Sequence, residues 1–545
     1  MKQENKYNIL SGTLILSGGV LISRVIGFLY RIPIQKIIGN VGQGLYGDAY
    51  QIYTFILTVT AIAMPSALSK LIAESETLKR YGQSEQIFRM AVKYATLCAL
   101  LLGGLIFFGA DVISDVAFPG DDIGGAIRVF APTAVIATFI ASLRGYFQGL
   151  GDMKPTAISQ IFEQIVNVIV SIGLAYYFSK ISIHLGVIGS CIGTAVGAII
   201  ALVILGGHYK QVRKERSFIA YKALSVEDER KMLKKLLHNL VPIIVSTSVF
   251  AVMSIIDFAM ISHLLPDAIM KLQEIGETYF IPIKSLEGLD IKTIVQNLKG
   301  QYSFQYNTFI NIPVSLILQL AVASIPALSA DMVSGDCKAV NQKMNMIMKT
   351  GMLFATPASI AFMIFGVPMM QLILGSSASG GELLAVGGIG MIGITIAQLT
   401  AGILQGIGKA KRACIHAVIA CIVKVIFNFV LMRIPQLNIF SVVIATGICY
   451  LVYSIMNVVY LYKVVVSRIL WKEVLVKPLF CSVIMGIGAY SVFKLLCILS
   501  IPVRISMLLT IPFAISLYYR LARRVHIMLP EVEDFVAKHY KRKVA

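Results

Sequence analysis

An apolar run long enough to cross a lipid bilayer recurs fourteen times along this chain. In hydrocarbon the backbone finds no water. A lone crossing segment must satisfy its N–H and C=O groups internally, as an α-helix, and about 20 apolar residues suffice. The runs predict helices near 10–35, 46–69, 88–109, 124–148, 155–178, 184–207, 236–265, 302–330, 344–366, 382–405, 412–433, 438–462, 474–494 and 501–522. The chain is 57% hydrophobic and 14% charged, where a soluble domain carries about 25% charged residues. Mean hydropathy is +0.79. The predicted fold class is an all-α polytopic membrane protein with 14 transmembrane helices.

The basic residues test that count. With the N-terminus cytoplasmic, and bases at helix ends counted with the loop they border, cytoplasmic segments hold 34 of the 48 Lys and Arg and the opposite segments hold 9. The rest, Arg24, Arg31, Arg128, Arg144 and Lys424, fall within spans. One helix more or fewer would invert every later loop and destroy this bias. Both termini are therefore expected in the cytoplasm. Segment 209–235 alone carries nine basic residues, whereas 110–123 carries Asp111, Asp115, Asp121 and Asp122 and no base. The net charge of +20 is split among loops beside apolar spans. That arrangement suits anionic inner-leaflet lipid. A nucleic-acid partner would want the bases on one soluble face. The first apolar stretch holds arginines and lacks a small-residue cleavage site, so it reads as a retained helix and not a signal peptide.

Several chemistries find no support. The eight cysteines form no C-x-x-C pair and read as small buried hydrophobes. The seven histidines show no metal-ligand spacing, and H-E-x-x-H, a P-loop and G-x-S-x-G are missing. Neither a cofactor, a metal nor an enzymatic activity is expected.

The chain repeats itself. "GYFQGLGDMKPTAISQIFEQIVNVI" (145–169) aligns without gaps to "GILQGIGKAKRACIHAVIACIVKVI" (402–426), with ten of 25 positions identical. A second echo pairs "PSALS" (65–69) with "IPALS" (325–329). The offset corresponds to six spans. An even number keeps both copies in the same orientation, so the repeats are parallel. This predicts an N-terminal six-helix lobe (1–208), a basic cytoplasmic linker (209–235), a C-terminal six-helix lobe (236–462), helices 13 and 14 (463–524) and a basic tail (525–545). Two such lobes can rock about a central cavity. The longest outward loop, 266–301, is rich in charge and is read as a solvated hairpin in preference to a lid.

The charges inside the spans are the candidate site. In "LISRVIGFLYRIP" (21–33), Arg24 and Arg31 are seven apart, which at roughly 100° per residue puts them on one helix face. A charge at a helix centre costs at least about 2.5 kcal/mol, so both should face protein or water. Their planar fork suits a phosphate or carboxylate. The alternatives are a structural ion pair or, for Arg31, snorkelling to the interface. Gly27 and Pro33 are expected to bend the helix there. Further candidates are Asp48, Arg144, Glu163, Asn167, Asp257, Lys424 and Asn428. Glu163 and Asn167, four apart, share a face of span 5, and Lys424 and Asn428 share the matching face of span 11. Asp257 and Lys424 either form a packing salt bridge or couple transport.

These residues resemble a family. Fourteen spans in two six-helix lobes plus two helices is similar to the multidrug/oligosaccharidyl-lipid/polysaccharide exporter superfamily. "SRVIGFLYRIPIQKIIG" (23–39) and "GLYGDAYQIY" (44–53) resemble the first two helices of MurJ-type lipid II flippases. "QGLGDMKPT" (148–156) resembles the branch containing stage V sporulation protein B. The resemblance implies outward flipping of an undecaprenyl-pyrophosphate-linked peptidoglycan precursor by alternating access in a bacterial plasma membrane. It implies that Arg24, Arg31 and Arg144 hold the pyrophosphate, with Asp48 at the family's acid early in helix 2. Arg31 falls one residue beyond the family's second arginine, where Tyr30 stands. Thr308 stands near the family's helix 8 arginine. Lys424 with Asn428 takes the place of the cation that some members hold near Asp257. The implied partners are lipid II, membrane lipids and cell-wall synthesis enzymes, with the chain a monomer. The rivals are a flippase for another lipid-linked polysaccharide unit, a cation-coupled multidrug exporter and a non-transporting scaffold.

Overall fold

The computed structural model describes residues 22–216, 226–275, 289–375, 380–465 and 468–527. Among them every regular element is helical. The N-terminal half has α1 (22–29), α2 (Arg31–Leu57), α3 (Met64–Thr77), α4 (Tyr81–Phe108), α5 (Ala110–Ala117), α6 (Gly124–Gly149), α7 (Lys154–Ser179), α8 (Ile183–Glu215) and α9 (Val226–Ile275). There follow α10 (Ile291–Gly300), α11 (Phe309–Ser334), α12 (Cys337–Leu374), α13 (Gly381–Gly406), α14 (Ala410–Leu431), α15 (Phe440–Val464), α16 (Lys477–Ile498) and α17 (Val503–Arg524). Among the described residues, twelve helical stretches are long and apolar enough to cross a membrane. One of them, Ile22–Thr77, is 56 residues, or about 84 Å of helix, far more than one crossing needs. It breaks at Gly39, where φ is +65°. Counting both parts and adding the 26-residue α11 gives the fourteen helices predicted.

The first connection differs from expectation. The loop expected between spans 1 and 2 is helical on both sides of Gly39, and the bend expected at Gly27 or Pro33 falls there instead. A left-handed φ suits glycine because it has no Cβ to clash. The start of span 1, residues 217–225 of the basic linker and the tail from 528 lie outside the described residues.

The chain divides into two compact units. One comprises Met1–Pro266 and Gly288–Gly300, the other Asp267–Glu287 and Gln301–Ala545. In the first, α3, α4, α6 and α8 pack on a core that includes Leu68, Ile72, Phe147 and Leu205, all fully buried. In the second, α11, α13 and α15 pack together, and α16 and α17 join through α12.

The sequence repeat is a repeat of packing. α3, carrying PSALS, lies on α6, whose end is GYFQG; α11, carrying IPALS, lies on α13, whose end is GILQG. Ser329 Oγ donates to the Gly406 carbonyl at 2.7 Å. Both repeat turns end in the same cap. Gly151 (φ +80°) donates to Gln148 O at 3.1 Å, and Asp152 to Phe147 O at 3.0 Å. Gly408 (φ +76°) donates to Gln405 O at 3.1 Å, and Lys409 to Leu404 O at 2.7 Å. This is the left-handed glycine cap that satisfies the last carbonyls of a helix.

The loop read as a solvated hairpin is otherwise. α9 continues to Ile275, and α10 then packs on α2. Ile294, Val295 and Leu298 bury one side of α10. A Cβ on Gly300 would collide with the Asn40 carbonyl, and one on Gly44 with the Gln296 carbonyl, so the two backbones touch. Asn40 Nδ2 also donates to Asn297 Oδ1 at 3.1 Å.

The shared cap is testable. Gly151→Val and Gly408→Val force a β-branched residue into the left-handed region, and each should cost about 1–2 kcal/mol. Gly206→Ala, in an open position on α8, should hold or raise stability. Thermal unfolding of the purified protein reads all three.

Candidate functional site

Three polar clusters of the N-terminal unit hold residues singled out from the sequence. The first surrounds Arg31. Tyr30 N donates to Ile26 O at 3.1 Å and Ile34 N to Tyr30 O at 3.3 Å, so helical bonding runs through the junction of α1 and α2. Arg24 lies exposed on α1, while Arg31 is half-buried with its guanidinium 5.7 Å from the centre of the Tyr50 ring. Tyr50 stacks on Tyr46 at 5.7 Å, and Tyr53 on Phe130 at 4.7 Å. An arginine over an aromatic face is attracted by the ring quadrupole. The stack fixes the guanidinium's direction.

The second cluster joins α6 to α7. Arg144 Nη2 donates to Glu163 Oε2 at 2.7 Å and lies 3.3 Å from Ser159 Oγ. The two charged side chains are 16% and 24% exposed. Asn167, on the same predicted face as Glu163, instead packs toward α8. Ser171 Oγ sits 2.8 Å from Asn167 Oδ1 and 2.9 Å from Ser190 O. A Cβ on Gly197 would lie 3.1 Å from Asn167 Cβ. Thus the Glu163 side chain engages α6 while the Asn167 side chain faces α8.

The third cluster centres on Asp48, which is fully buried. Lys299 of α10 donates to Asp48 Oδ2 at 2.9 Å and also to Asp121 and Ser262. Gln296 Nε2 donates to Asp121 Oδ1 at 3.0 Å. α10 lies outside the twelve candidate spans. Burial opposes the Lys299 charge, but Asp48 and Asp121 outweigh it and hold the ammonium above the usual lysine range.

Asp257 is buried on α9 of the first unit; Lys424 and Asn428 are buried on α14 of the second. In that unit His416 Nδ1 lies 2.9 Å from Asn457 Oδ1, and Asn457 Nδ2 donates to Thr400 Oγ1 at 3.2 Å. Thr308, expected near the family's helix 8 arginine, closes a π-helical stretch, Gln301–Thr308. Such stretches concentrate at functional sites. Among the described residues, no three His, Cys, Asp or Glu converge as a metal site.

Sequence reasoning missed Lys299, Asp121, Ser262 and Gln296. A signal existed. Ile291, Ile294, Val295 and Leu298 recur at helical spacing, which marks α10 as a packed helix and places Lys299 one step beyond its apolar face.

Comparison with known proteins places this arrangement. The fold is that of solved transporters. One is described as lipid II flippase MurJ in an inward closed conformation, with TM-score 0.65, 15% identity, and coverage of 94% of this chain and 99% of that one. Another is an inward-facing multidrug resistance MATE family transporter of the MOP superfamily, with TM-score 0.63, 15% identity, and coverage of 80% and 94%. The class is therefore a helical multi-span membrane protein of transporter fold. Residues 9–332 match the model of the polysaccharide biosynthesis protein family, and the chain belongs to that family. Residues 300–507 match the lipid II flippase MurJ family model. Lipid II flippase MurJ of Bacillus subtilis (strain 168) is 24% identical over 506 residues, 88% of this chain and 87% of its own length. Stage V sporulation protein B of the same organism is 24% identical over 469 residues, 85% of each.

The Arg144–Glu163 pair yields a stability prediction. Arg144→Ala leaves Glu163 without its partner in a poorly solvated place, whereas Arg144→Ala/Glu163→Ala removes both charges. The double variant should be more stable than the single variant by about 1 kcal/mol. Equal unfolding temperatures for the two would refute the pairing.

Proposed function

We propose that this chain is a flippase that moves an undecaprenyl-pyrophosphate-linked peptidoglycan precursor, lipid II, from the inner to the outer leaflet of a bacterial plasma membrane. The supporting observation is the likeness to the B. subtilis lipid II flippase across 88% of the chain. One matched relative carries a flippase name and the solved structures of the same fold carry flippase or transporter names, and the chain is read here as a transporter and not an enzyme. The arginines suit the charge of the cargo. Arg24 and Arg31 take the pyrophosphate, Arg31 directed by its tyrosine stack, and Arg144 adds hydrogen bonds from a guanidinium already oriented by Glu163. The glycan crosses in a wet environment while the prenyl tail stays in lipid. The six-helix lobes at 1–208 and 236–462 alternate access, and Asp257, Lys424 and Asn428 contribute to coupling. In this reading both termini are cytoplasmic, the chain acts as a monomer, and its neighbours are cell-wall synthesis enzymes.

The family description, polysaccharide biosynthesis, favours one second reading. In it the prenyl-pyrophosphate handle is unchanged and the glycan is another polysaccharide unit. A cationic drug fits the two arginines poorly, because like charges repel.

Cells depleted of their own flippase separate these readings. Supplying this chain should restore lipid II to the outer leaflet, and Arg24→Ala or Arg31→Ala at equal membrane levels should lower the restored fraction at least tenfold. If the wild-type chain leaves lipid II inside, lipid II is not its cargo. If the arginine variants match wild type, the grip assigned to them is wrong.

A further inference from the structure

Four parts of the N-terminal unit meet at one ammonium. Asp48 comes from α2, Asp121 from the loop before α6, Ser262 from α9 and Lys299 from α10. Their exposures are 0%, 3%, 5% and 0%. Two carboxylates therefore share one ammonium, and one negative charge is buried without a counter-charge in the cluster. Asp48 Oδ1 accepts no hydrogen bond among the described residues. A buried carboxylate oxygen without a donor is costly, and an unbalanced buried charge more so. A pocket of about 230 Å³, lined in part by Pro119, Gly120, Lys292 and Val295, reaches Asp121 and Ser262 of the cluster.

Among the described residues, the neighbouring Arg128, His263, Lys292 and Asp122 do not supply the missing charge. Arg128 pairs with Asp111. His263 Nε2 lies 2.9 Å from the Val116 carbonyl. Lys292 lines the pocket rather than joining the cluster. Asp122, beside Asp121 in sequence, is exposed.

We propose that Asp48, Asp121 and Ser262 form a binding site for one small monovalent cation, a proton or Na+, beside the fixed ammonium of Lys299. The charge deficit of one sets the valence, and the oxygen ligands suit a hard cation. The site also holds α10 on the N-terminal unit. α10 leads directly into the π-helical stretch Gln301–Thr308, where the chain re-enters the second unit. Cation occupancy thereby sets how firmly that helix is held. This coupling rests on the transporter reading. Cation binding itself does not, so the test below can fail while flipping stands.

The test is thermal unfolding of the purified full chain in lipid nanodiscs. Na+ replaces N-methylglucamine at constant ionic strength, and the series is repeated across pH. If Na+ is the ligand, Tm rises saturably with Na+. If a proton is the ligand, Tm ignores Na+ and falls as pH rises, because the folded site holds a proton that the unfolded chain has already lost. Asp121→Asn balances the cluster, one carboxylate to one ammonium, and should abolish either dependence. Lys299→Met doubles the deficit and should lower the half-saturating Na+ at least tenfold, or move the Tm fall to higher pH. Ser262→Ala keeps all charges and should weaken Na+ binding severalfold, which covers the case in which Lys299→Met does not fold. A wild type indifferent to both Na+ and pH, or an Asp121→Asn variant that keeps the wild-type dependence, overturns the proposal.

Discussion

A charge inside a membrane protein needs a counter-charge or water, and much of this structure follows from that demand. Lys299 is fully buried only because Asp48 and Asp121 receive it. The Arg144 side chain of α6 is largely buried because Glu163 of α7 meets it. Removing one partner of such a pair leaves the other uncompensated, so the pairs specify which helices lie together as well as stabilising them. Arg24 differs: it is exposed on α1. A cation left accessible while others are paired is the kind of group a polyanionic cargo can use.

The backbone answers a second demand, that helices approach closely without hydrophobic attraction between them. Glycines serve this where α10 meets α2, at Gly44 and Gly300. They also end the repeated helices, at Gly151 and Gly408, with the same left-handed cap. The duplicated turn in the sequence is thus a duplicated cap in space. Identical residues were retained where the backbone conformation leaves few alternatives.

Much of this was legible in the sequence. Helix positions follow from run length, and the repeat turn predicted α6–α7 and α13–α14 as equivalents. The loop expected at 36–45 was illegible because a single glycine, Gly39, breaks a helix that otherwise continues. Glu163 and Asn167 share a face by spacing, yet spacing cannot tell that Arg144 draws one side chain toward α6 while the other faces Gly197 of α8. Lys299 was hidden for a related reason. In sequence it belongs to a charged loop, and only the folding back of α10 onto α2 brings it to Asp48, 251 residues away.

The paired charges, the exposed arginine and the family together support one account: a helical transporter that carries a prenyl-pyrophosphate glycan across the membrane. The most direct measurement is flipping by the purified chain in liposomes that hold fluorescent lipid II, with a membrane-impermeant quencher outside. The account predicts that the protected fraction of label falls in vesicles containing the chain, and that the Arg31→Ala chain slows this fall. A protected fraction equal to that of protein-free vesicles would contradict it.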